Sequence, residues 1–516
     1  MVKEYDEKTI KALIDYPYFI LNKEMKNGIN AFRNELLEIQ SNYVNYKNGS
    51  TFYTEGTQGD YTPSTLHFKK AKKLIDKESR FMFSQTPDVI VQTDYTDEQH
   101  KDMIRNYQKL LDNVLSNGAN NFGRRLLQAS KDCFIGKRVA VVVDCNEDNK
   151  IQVHFYNSLQ FYYETEYDSD KLTKIVTFEN VSESKNTSDR IFLVNKYEEK
   201  NNNIHFSSNL YDGGGNVLEE LVPQTILQLD YIPAMIIFND GVLGDKRGTS
   251  EIEALTGLES GYSRLSNADI DSERKGMNPI RYTVDMNPSS TKDLPSGAGA
   301  YWDLHSDQNV NISNAQVGTL SPALNHTDAV KETLQRIEQA MHDEVDVPNI
   351  TSETMVGTIT SGKALKILYY PLEVRCNEKL KVWIPAIKFI AKTIIDMALL
   401  SPSDFIASYV LTGLQEITYN IEVSVNYALM DDEETEKAND LQEIAANARS
   451  RKSYIAKWRK EEFKNEDQIQ EELMQIAIEN NMFDSMSINT QISNRIDDMN
   501  TQTQIDKNIE DVKING

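Results

Sequence analysis

A periodic run of apolar residues near the middle of the chain limits the possible folds more than any other feature. Between residues 360 and 400 apolar side chains recur at steps of three and four, which places them on one face of a helix. They are Leu365, Leu368, Leu372, Cys376, Leu380, Trp383, Ile387, Ile390, Ile394 and Met397. The sequence therefore predicts one long helix with a buried stripe. Because proline removes a backbone donor and crowds the preceding turn, we expect this helix to bend or break near Pro371 and Pro385.

The segment just before this helix has the spacing of a phosphate-binding loop. Gly357–Lys363 fits G-x-x-x-x-G-K, but a P-loop continues with Ser or Thr to hold magnesium, and here Ala364 follows. A P-loop also follows a buried strand, whereas residues 349–356 are polar. The acid-ended apolar run Val139–Asp144 lies far upstream, on the wrong side for the second nucleotide-binding motif. We favour a flexible loop and a helix start, with an ATP-using enzyme built on Gly357–Lys363 as an alternative.

Composition bounds the class of protein. The chain has 516 residues, of which 26% are charged, and a net charge of −24. Its mean hydropathy is −0.53, and no stretch approaches the length of a transmembrane helix, so no membrane contact is expected. Three scattered cysteines and seven scattered histidines offer no ligand spacing; we therefore predict no metal and no cofactor. The acidity argues against tight nucleic-acid binding, and fits either an ordinary acidic protein or a wall past which DNA moves.

The first half of the chain combines helices with a β-rich region. Helical periodicity is found in residues 6–46, 65–84 and 97–134, with a short strand at Val89–Val91. Residues 138–232 carry short β-type runs separated by turn clusters, and the glycines of Asp212–Gly215 suit a hairpin turn. We interpret this region as an antiparallel meander.

The second half begins with a predicted helix start at Ser250. Ser250 and Glu253 have capping-box spacing and open a helix that runs to about residue 276. A strand is predicted at Ile280–Val284 and a second helix at residues 325–345. After the long helix, an alternating strand follows at Ile417–Leu429, and further helices are predicted at 431–446, 451–463 and 466–481.

This order of elements resembles the portal, or head–tail connector, proteins of tailed double-stranded DNA phages, of the Bacillus-siphophage type. The resemblance rests on Ile232–Asp240 followed by the helix Ser250–Asp271, and on Thr360–Leu365 opening the long helix. It implies an α+β multidomain fold with a mixed α/β wing, a helical stem, a small α/β clip and a helical crown. The implied division is 1–246 wing, 247–277 stem helix, 278–322 clip, 323–346 stem helix, 347–360 tunnel loop, 361–429 long kinked helix and wing return strand, and 430–516 crown.

The resemblance also implies a function and a set of partners. Portal proteins form a ring, here expected to have about twelve subunits, at one capsid vertex, through which DNA is packaged, retained and ejected. Implied partners are other copies of the chain, double-stranded DNA held without sequence preference, the terminase large subunit, a head-completion adaptor, the scaffold and the major capsid protein. The protein would be assembled in the host cytoplasm and lie in the virion. No catalytic residue is predicted; another structural or adaptor protein of the virion remains an alternative.

Three groups of residues are expected to carry this function. The DNA-facing tunnel loop would present Asn349, Thr351, Ser352, Glu353, Thr354, Met355 and Val356. The channel-lining stem candidates are Lys331, Gln335, Arg336 and Gln339. The partner-docking clip candidates are Asp293, Leu294, Tyr301, Trp302 and Asp303.

The predicted tunnel loop has an unusual charge for a segment that meets DNA. No arginine or lysine lies between Val347 and Ile359, and Glu353 is acidic. Phosphate neutralisation needs basic residues. We therefore expect the loop to touch DNA weakly and without clamping it.

Overall fold

The computed structural model describes residues 29–53, 62–95, 97–116, 120–146, 148–166, 169, 171–182, 189–239, 241, 247–277, 280–284, 286, 316–320, 327–350, 362–427, 433–459 and 469–478. The chain divides into two compact units. One comprises Met1–Val356 with Ile367–Ala428, and the other comprises Gly357–Lys366 with Leu429–Gly516.

The first unit begins with helices around a short strand: α1 (Ile29–Asn48), α2 (Lys70–Phe83), β1 (Asp88–Gln92), α3 (Glu98–Ser116) and α4 (Phe122–Gly136). The single helix expected over residues 97–134 is therefore wrong, because the chain turns between α3 and α4. Asn121 has φ +36°, a left-handed conformation that asparagine tolerates better than most residues. The buried Asn120 side chain donates to the carbonyls of Val114 and Ile151 and so fixes the turn.

The β-rich region forms two sheets rather than one meander. Its strands are β2 (Arg138–Cys145), β3 (Ile151–Asn157), β4 (Phe161–Thr165), β5 (Leu172–Asn180), β6 (Ile191–Lys200), β7 (Asn203–Asp212), β8 (Val217–Leu227) and β9 (Ala234–Phe238). The five strands β4 to β8 are an antiparallel meander in chain order, whereas β2 lies between β3 and β9 in a separate sheet. The predicted turn at Asp212–Gly215 is confirmed, because it joins β7 to β8.

Two helices and a strand pair follow the sheets: α5 (Glu251–Met277), β10 (Ile280–Val284), β11 (Gln316–Leu320) and α6 (Thr327–Glu344). The helices α5 and α6 pack against each other, and we call this pair the stem. β10 pairs antiparallel with β11, from Ile280 opposite Leu320 to Val284 opposite Gln316. The strand at Ile280–Val284 is confirmed; the sequence did not predict β11.

The long helix is confirmed, and it continues through both prolines. It is α7 (Gly362–Leu400), followed by α8 (Pro402–Tyr409) and β12 (Asn420–Ser424). The helix does not break at Pro371 or Pro385, because it includes both residues; a bend near either proline stays a prediction. The apolar stripe explains this, since seven of its ten members are buried: Leu372, Cys376, Leu380, Trp383, Ile387, Ile390 and Ile394. Burial of that many side chains outweighs the loss of two backbone hydrogen bonds.

The second unit contains α9 (Glu433–Ala445), α10 (Arg451–Trp458) and a helix over residues 469–478. The buried carboxylate of Asp440 in α9 accepts hydrogen bonds from Lys457 Nζ at 3.1 Å and Trp458 Nε1 at 2.6 Å. Arg459 Nη1 lies 2.9 Å from Glu472 Oε1. The three helices predicted in this part of the chain are confirmed, with shorter bounds.

Candidate functional site

The stem carries the predicted site residues that the structure describes. Lys331, Gln335, Arg336 and Gln339 are all exposed and lie along one side of α6. Asn349 follows the helix and is half-buried. The other tunnel-loop candidates, Thr351, Ser352, Glu353, Thr354, Met355 and Val356, lie outside the described residues. So do the clip candidates Asp293, Leu294, Tyr301, Trp302 and Asp303.

The stem is buried at one end and exposed at the other. In α6 the buried residues are Met341 and His342, near its C-terminal end. In α5 they begin at Glu251 and end at Asn267. We call residues 268–277 and 327–340 the outer stem, and the rest of the pair the stem root. Val330 and Leu334 in the outer stem are apolar but remain partly exposed.

The stem root is tied to the preceding chain by side-chain to backbone hydrogen bonds. Glu259, fully buried in α5, accepts from the backbone N–H of Ser50 at 2.8 Å, from Ser50 Oγ at 2.6 Å and from the N–H of Ala71 at 2.9 Å. Further along the helix, the Asn267 amide bonds both the N–H and the carbonyl of Leu66 at 2.8 Å. Ser50 and residues 64–71 therefore lie against α5 and satisfy its buried polar side chains.

Three buried charges and the half-buried Arg375 join α7 to α2 and to the start of α5. Lys379 Nζ lies 2.5 Å from Glu78 Oε1 and 2.7 Å from Glu251 Oε1. Arg375 bonds the same two carboxylates, with Nε 3.1 Å from Glu78 and Nη2 2.5 Å from Glu251. Arg375 Nη1 also lies 3.7 Å from Asp346, just past the end of α6. We call Glu78, Glu251, Arg375 and Lys379 the root cluster.

The root cluster balances two carboxylates against two cations inside the protein. Burial alone would raise the pKa of Glu251, but Lys379 and Arg375 outweigh it, and the pKa lies below its usual range. Burial dominates at Glu78 and raises its pKa, and the carboxylate of Glu251 adds to this effect. Among the described residues, the second carboxyl oxygen of Glu78 has no hydrogen-bond partner. The cluster holds together only while both cations stay in place.

The start of α5 is held differently from the predicted capping box. Ser250 Oγ accepts from the N–H of Ile252 at 3.2 Å and donates to the carbonyl of Ile135 at 2.7 Å. Glu253 does not turn back to its own helix start, because its carboxylate lies 2.9 Å from Lys137 Nζ. The reciprocal capping prediction is therefore wrong: tertiary partners take both side chains.

The end of α6 is closed by its own backbone just before the predicted tunnel loop. The N–H of Val347 donates to the carbonyl of His342 at 3.1 Å, and Asp346 between them has φ +52°, as in a Schellman motif. His342 Nδ1 lies 2.7 Å from the carbonyl oxygen of Val347. That carbonyl can only accept, so Nδ1 carries the hydrogen. The chain therefore leaves the root in a fixed direction.

The arrangement is suited to mechanical connection rather than to chemistry. Within the described ranges, no three His, Cys, Asp or Glu side chains come together as a metal site would require. Nor does any helix in those ranges combine the length and apolarity needed to span a membrane. Sequence reasoning missed the root cluster, since Glu78, Arg375 and Lys379 look like solvated helix charges. The one available signal was that Cys376 and Leu380 of the buried stripe adjoin Arg375 and Lys379.

Part of the chain matches a known protein family. Residues 277–484 match the family described as "Phage portal protein, SPP1 Gp6-like". No curated protein matches the chain. Among solved structures, the chain is similar to "Neck of empty GTA particle computed with C6 symmetry", with a TM-score of 0.41 and 10% identity over 75% of this chain and 88% of that one. It is also similar to "Virion of native gene transfer agent (GTA) particle", with a TM-score of 0.40, 10% identity and the same two coverages. The family match confirms the predicted resemblance to phage portal proteins, which are structural virion proteins and not enzymes.

Proposed function

We propose that this chain, recognised as a phage portal protein by residues 277–484, forms a ring at one capsid vertex through which double-stranded DNA enters and leaves. The ring is expected to contain about twelve copies. In this proposal residues 1–246 are the wing, 278–322 the clip and 430–516 the crown. The terminase large subunit and the head-completion adaptor dock on the clip; the scaffold and the major capsid protein are further partners during assembly.

The observation that carries the ring is the outer stem. Over residues 327–340 α6 contains no buried residue, although Val330 and Leu334 are apolar. An amphipathic helix is normally stabilised by burial of its apolar face. Neighbouring copies in a ring would supply that burial, and a heterologous contact of this kind closes into a ring when its rotation allows.

Two features support a channel near the stem. Lys331, Gln335, Arg336 and Gln339 form an exposed polar surface that no other described part of the chain covers. The end of α6 points the chain into the proposed tunnel loop, residues 347–360, and α7 leads away from it. Polar and mixed-charge surfaces suit weak, sequence-blind contact with a moving duplex.

The ring is tested by changing the outer stem alone. The double variant Val330→Ser/Leu334→Ser should lose ring assembly, because it removes apolar area that is partly exposed in one copy and would be covered in the ring. Its monomer should stay folded and lose about 0.5–3 kcal/mol of stability, as expected for partly buried positions. Molecular mass in solution and particle images measure the ring, and denaturant unfolding measures the fold.

A matched control changes two exposed leucines of the same unit. Leu218 and Leu221 in β8 are 54% and 46% exposed, and Leu218→Ser/Leu221→Ser should leave ring mass unchanged. The proposal fails if the parent protein shows no ring at any salt concentration. The role of the outer stem fails if the stem variant assembles as well as the control.

A further inference from the structure

One side of α2 carries basic residues at every exposed position. Lys69 precedes the helix, and Lys73, Lys77 and Arg80 follow at steps of four and three; all four are exposed. Residues at these steps lie one above the other on a helix surface. We call these four residues the basic stripe.

The sheltered lysines of the same helix behave differently. Lys70 is half-buried and lies 2.6 Å from Glu338 of α6, and Lys72 lies 3.5 Å from Asp76. None of the four basic-stripe residues forms an ion pair with any residue that the structure describes. The chain as a whole is acidic, with 79 acidic residues against 55 basic ones. Four neighbouring basic side chains without an ion pair differ from that average charge.

The positive charges on this helix also affect one another. Partial burial of its stem lowers the pKa of Lys77, and Lys73 lowers it further; Glu338 of α6 opposes this shift, and Lys70 adds to it. Burial lowers the pKa of His342, and the positive charge of Lys77 lowers it further. An anion placed against the stripe would relieve this repulsion.

The stripe has the length to span several phosphates. From residue 69 to residue 80 a helix rises about 16 Å, whereas one strand of duplex DNA carries a phosphate roughly every 3.4 Å of axis. Three of the four members are lysines, which present compact, flexible and strongly hydrated charges. Such charges suit brief contacts that do not depend on base sequence.

The helix that carries the stripe is fixed to both parts of the stem. Lys70 binds Glu338 in the outer stem, and the N–H of Ala71 binds Glu259 in the stem root. The position of α2 relative to the stem is therefore held by two contacts on neighbouring residues.

We propose that the basic stripe, Lys69, Lys73, Lys77 and Arg80, binds the phosphate backbone of duplex DNA. The inference rests on the proposed function, because a DNA channel supplies the ligand. It locates the electrostatic contact on α2 and not on the predicted tunnel loop, which has no basic residue between Val347 and Ile359.

The test compares two double variants of the full-length protein. Lys73→Gln/Lys77→Gln removes two stripe charges, and Lys381→Gln/Lys388→Gln removes two exposed charges from α7. The probe is a short fluorescent duplex DNA of mixed sequence, titrated by anisotropy at several salt concentrations. Ring mass and the fluorescence of buried Trp383 are measured on the same samples.

The stripe variant should bind DNA about three- to tenfold more weakly at low salt, and its salt slope should fall by about 0.9 for each phosphate that the variant no longer neutralises. Ring mass and unfolding should not change, and the α7 variant should bind like the parent. The proposal is overturned if the parent binds no DNA at low salt, if the stripe variant keeps the full slope, or if both variants lose affinity equally. Loss of the ring in the stripe variant would also overturn it, because a neighbouring copy would then be the partner.

The two proposals can fail separately. If the parent protein forms no ring but the stripe variant shows the expected loss of salt slope, the ring is refuted and the phosphate site is retained. A parent that forms rings with an unchanged slope in the stripe variant refutes the site and retains the ring.

Discussion

The two ends of the stem have opposite surroundings within one pair of helices. At the root, Glu251 and Glu259 of α5 are buried charges with several bonds each. In the outer stem, apolar Val330 and Leu334 are partly exposed beside exposed charged residues. Polar groups are thus buried in the stem root, whereas apolar groups of the outer stem remain partly exposed to solvent.

This difference separates two tasks. The root fixes the helices to the rest of their unit, and hydrogen bonds to buried charges give that connection a defined geometry. Residues 327–340 of the outer stem are not buried in one copy, so their exposed side chains are available for contact with other molecules. Changes at the root should therefore alter folding, and changes in the outer stem should alter assembly.

The largest expected effect comes from removing one cation of the root cluster. Lys379→Ala leaves Glu78 and Glu251 buried with Arg375 as the remaining cation of the cluster, and should lower the free energy of unfolding by about 3–5 kcal/mol. Denaturant unfolding followed by Trp383 fluorescence measures it. Lys388→Ala, an exposed position on the same helix, is the control and should change stability by less than about 0.5 kcal/mol. Equal losses of unfolding free energy in the Lys379 and Lys388 variants would contradict the prediction that the root cluster stabilises the fold more than an exposed lysine does.

A smaller effect is expected from the carboxylate that holds Ser50 and Ala71 against α5. Glu259→Ala leaves the N–H groups of Ser50 and Ala71 without their acceptor, which should cost about 2–3 kcal/mol. Hydrogen exchange at these two amides should accelerate before exchange in α7 does. The control is Glu273→Ala, at an exposed position on the same helix. This variant should leave hydrogen exchange at Ser50 and Ala71 unchanged. Unchanged exchange in the Glu259 variant would mean that the contact does not hold the segment.

The smallest effect concerns the pH dependence of the root. Burial, together with Lys77, lowers the pKa of His342 below its unfolded value despite the hydrogen bond to Val347. The neutral ring is therefore the folded form; its stabilisation is complete above the unfolded pKa of about 6.5 and is lost as pH falls below it. His342→Gln should unfold with a shallower loss of free energy between about pH 7 and pH 5. Comparison with the parent protein isolates this residue, and parallel pH curves would contradict the assignment.

The sequence predicted the elements whose pattern is local. The stripe of α7 repeats at helical steps over most of that helix, and β10 alternates next to a clear helix end. Patterns of this length survive tertiary packing, which is why Leu372, Ile387 and Ile394 are buried as expected. The hairpin turn at Asp212–Gly215 was predictable for the same reason, since glycine and aspartate favour such turns locally.

The failures are places where distant residues decide. The turn at Asn120 depends on the carbonyl of Ile151, and Ser250 and Glu253 are engaged by α4 and by Lys137 after it. The root cluster joins residues 78, 251, 375 and 379, which are separated by up to 301 positions. Periodicity cannot distinguish such buried charges from solvated ones, because it records which residues are polar and not which ones meet.

The pairing of β10 with β11 makes the sequence between them exchangeable. Val284 and Gln316 are direct partners, so the chain leaves and returns at points roughly 4.5–5.5 Å apart. A tight turn of a few residues could close that gap, and so could a much longer insert. We expect that substituting, lengthening or replacing the segment between β10 and β11 would leave the register of these two strands and the helices α5 and α6 intact. For the proposed docking of partners on residues 278–322, specificity can therefore diversify, in evolution or by design, independently of the two stem helices.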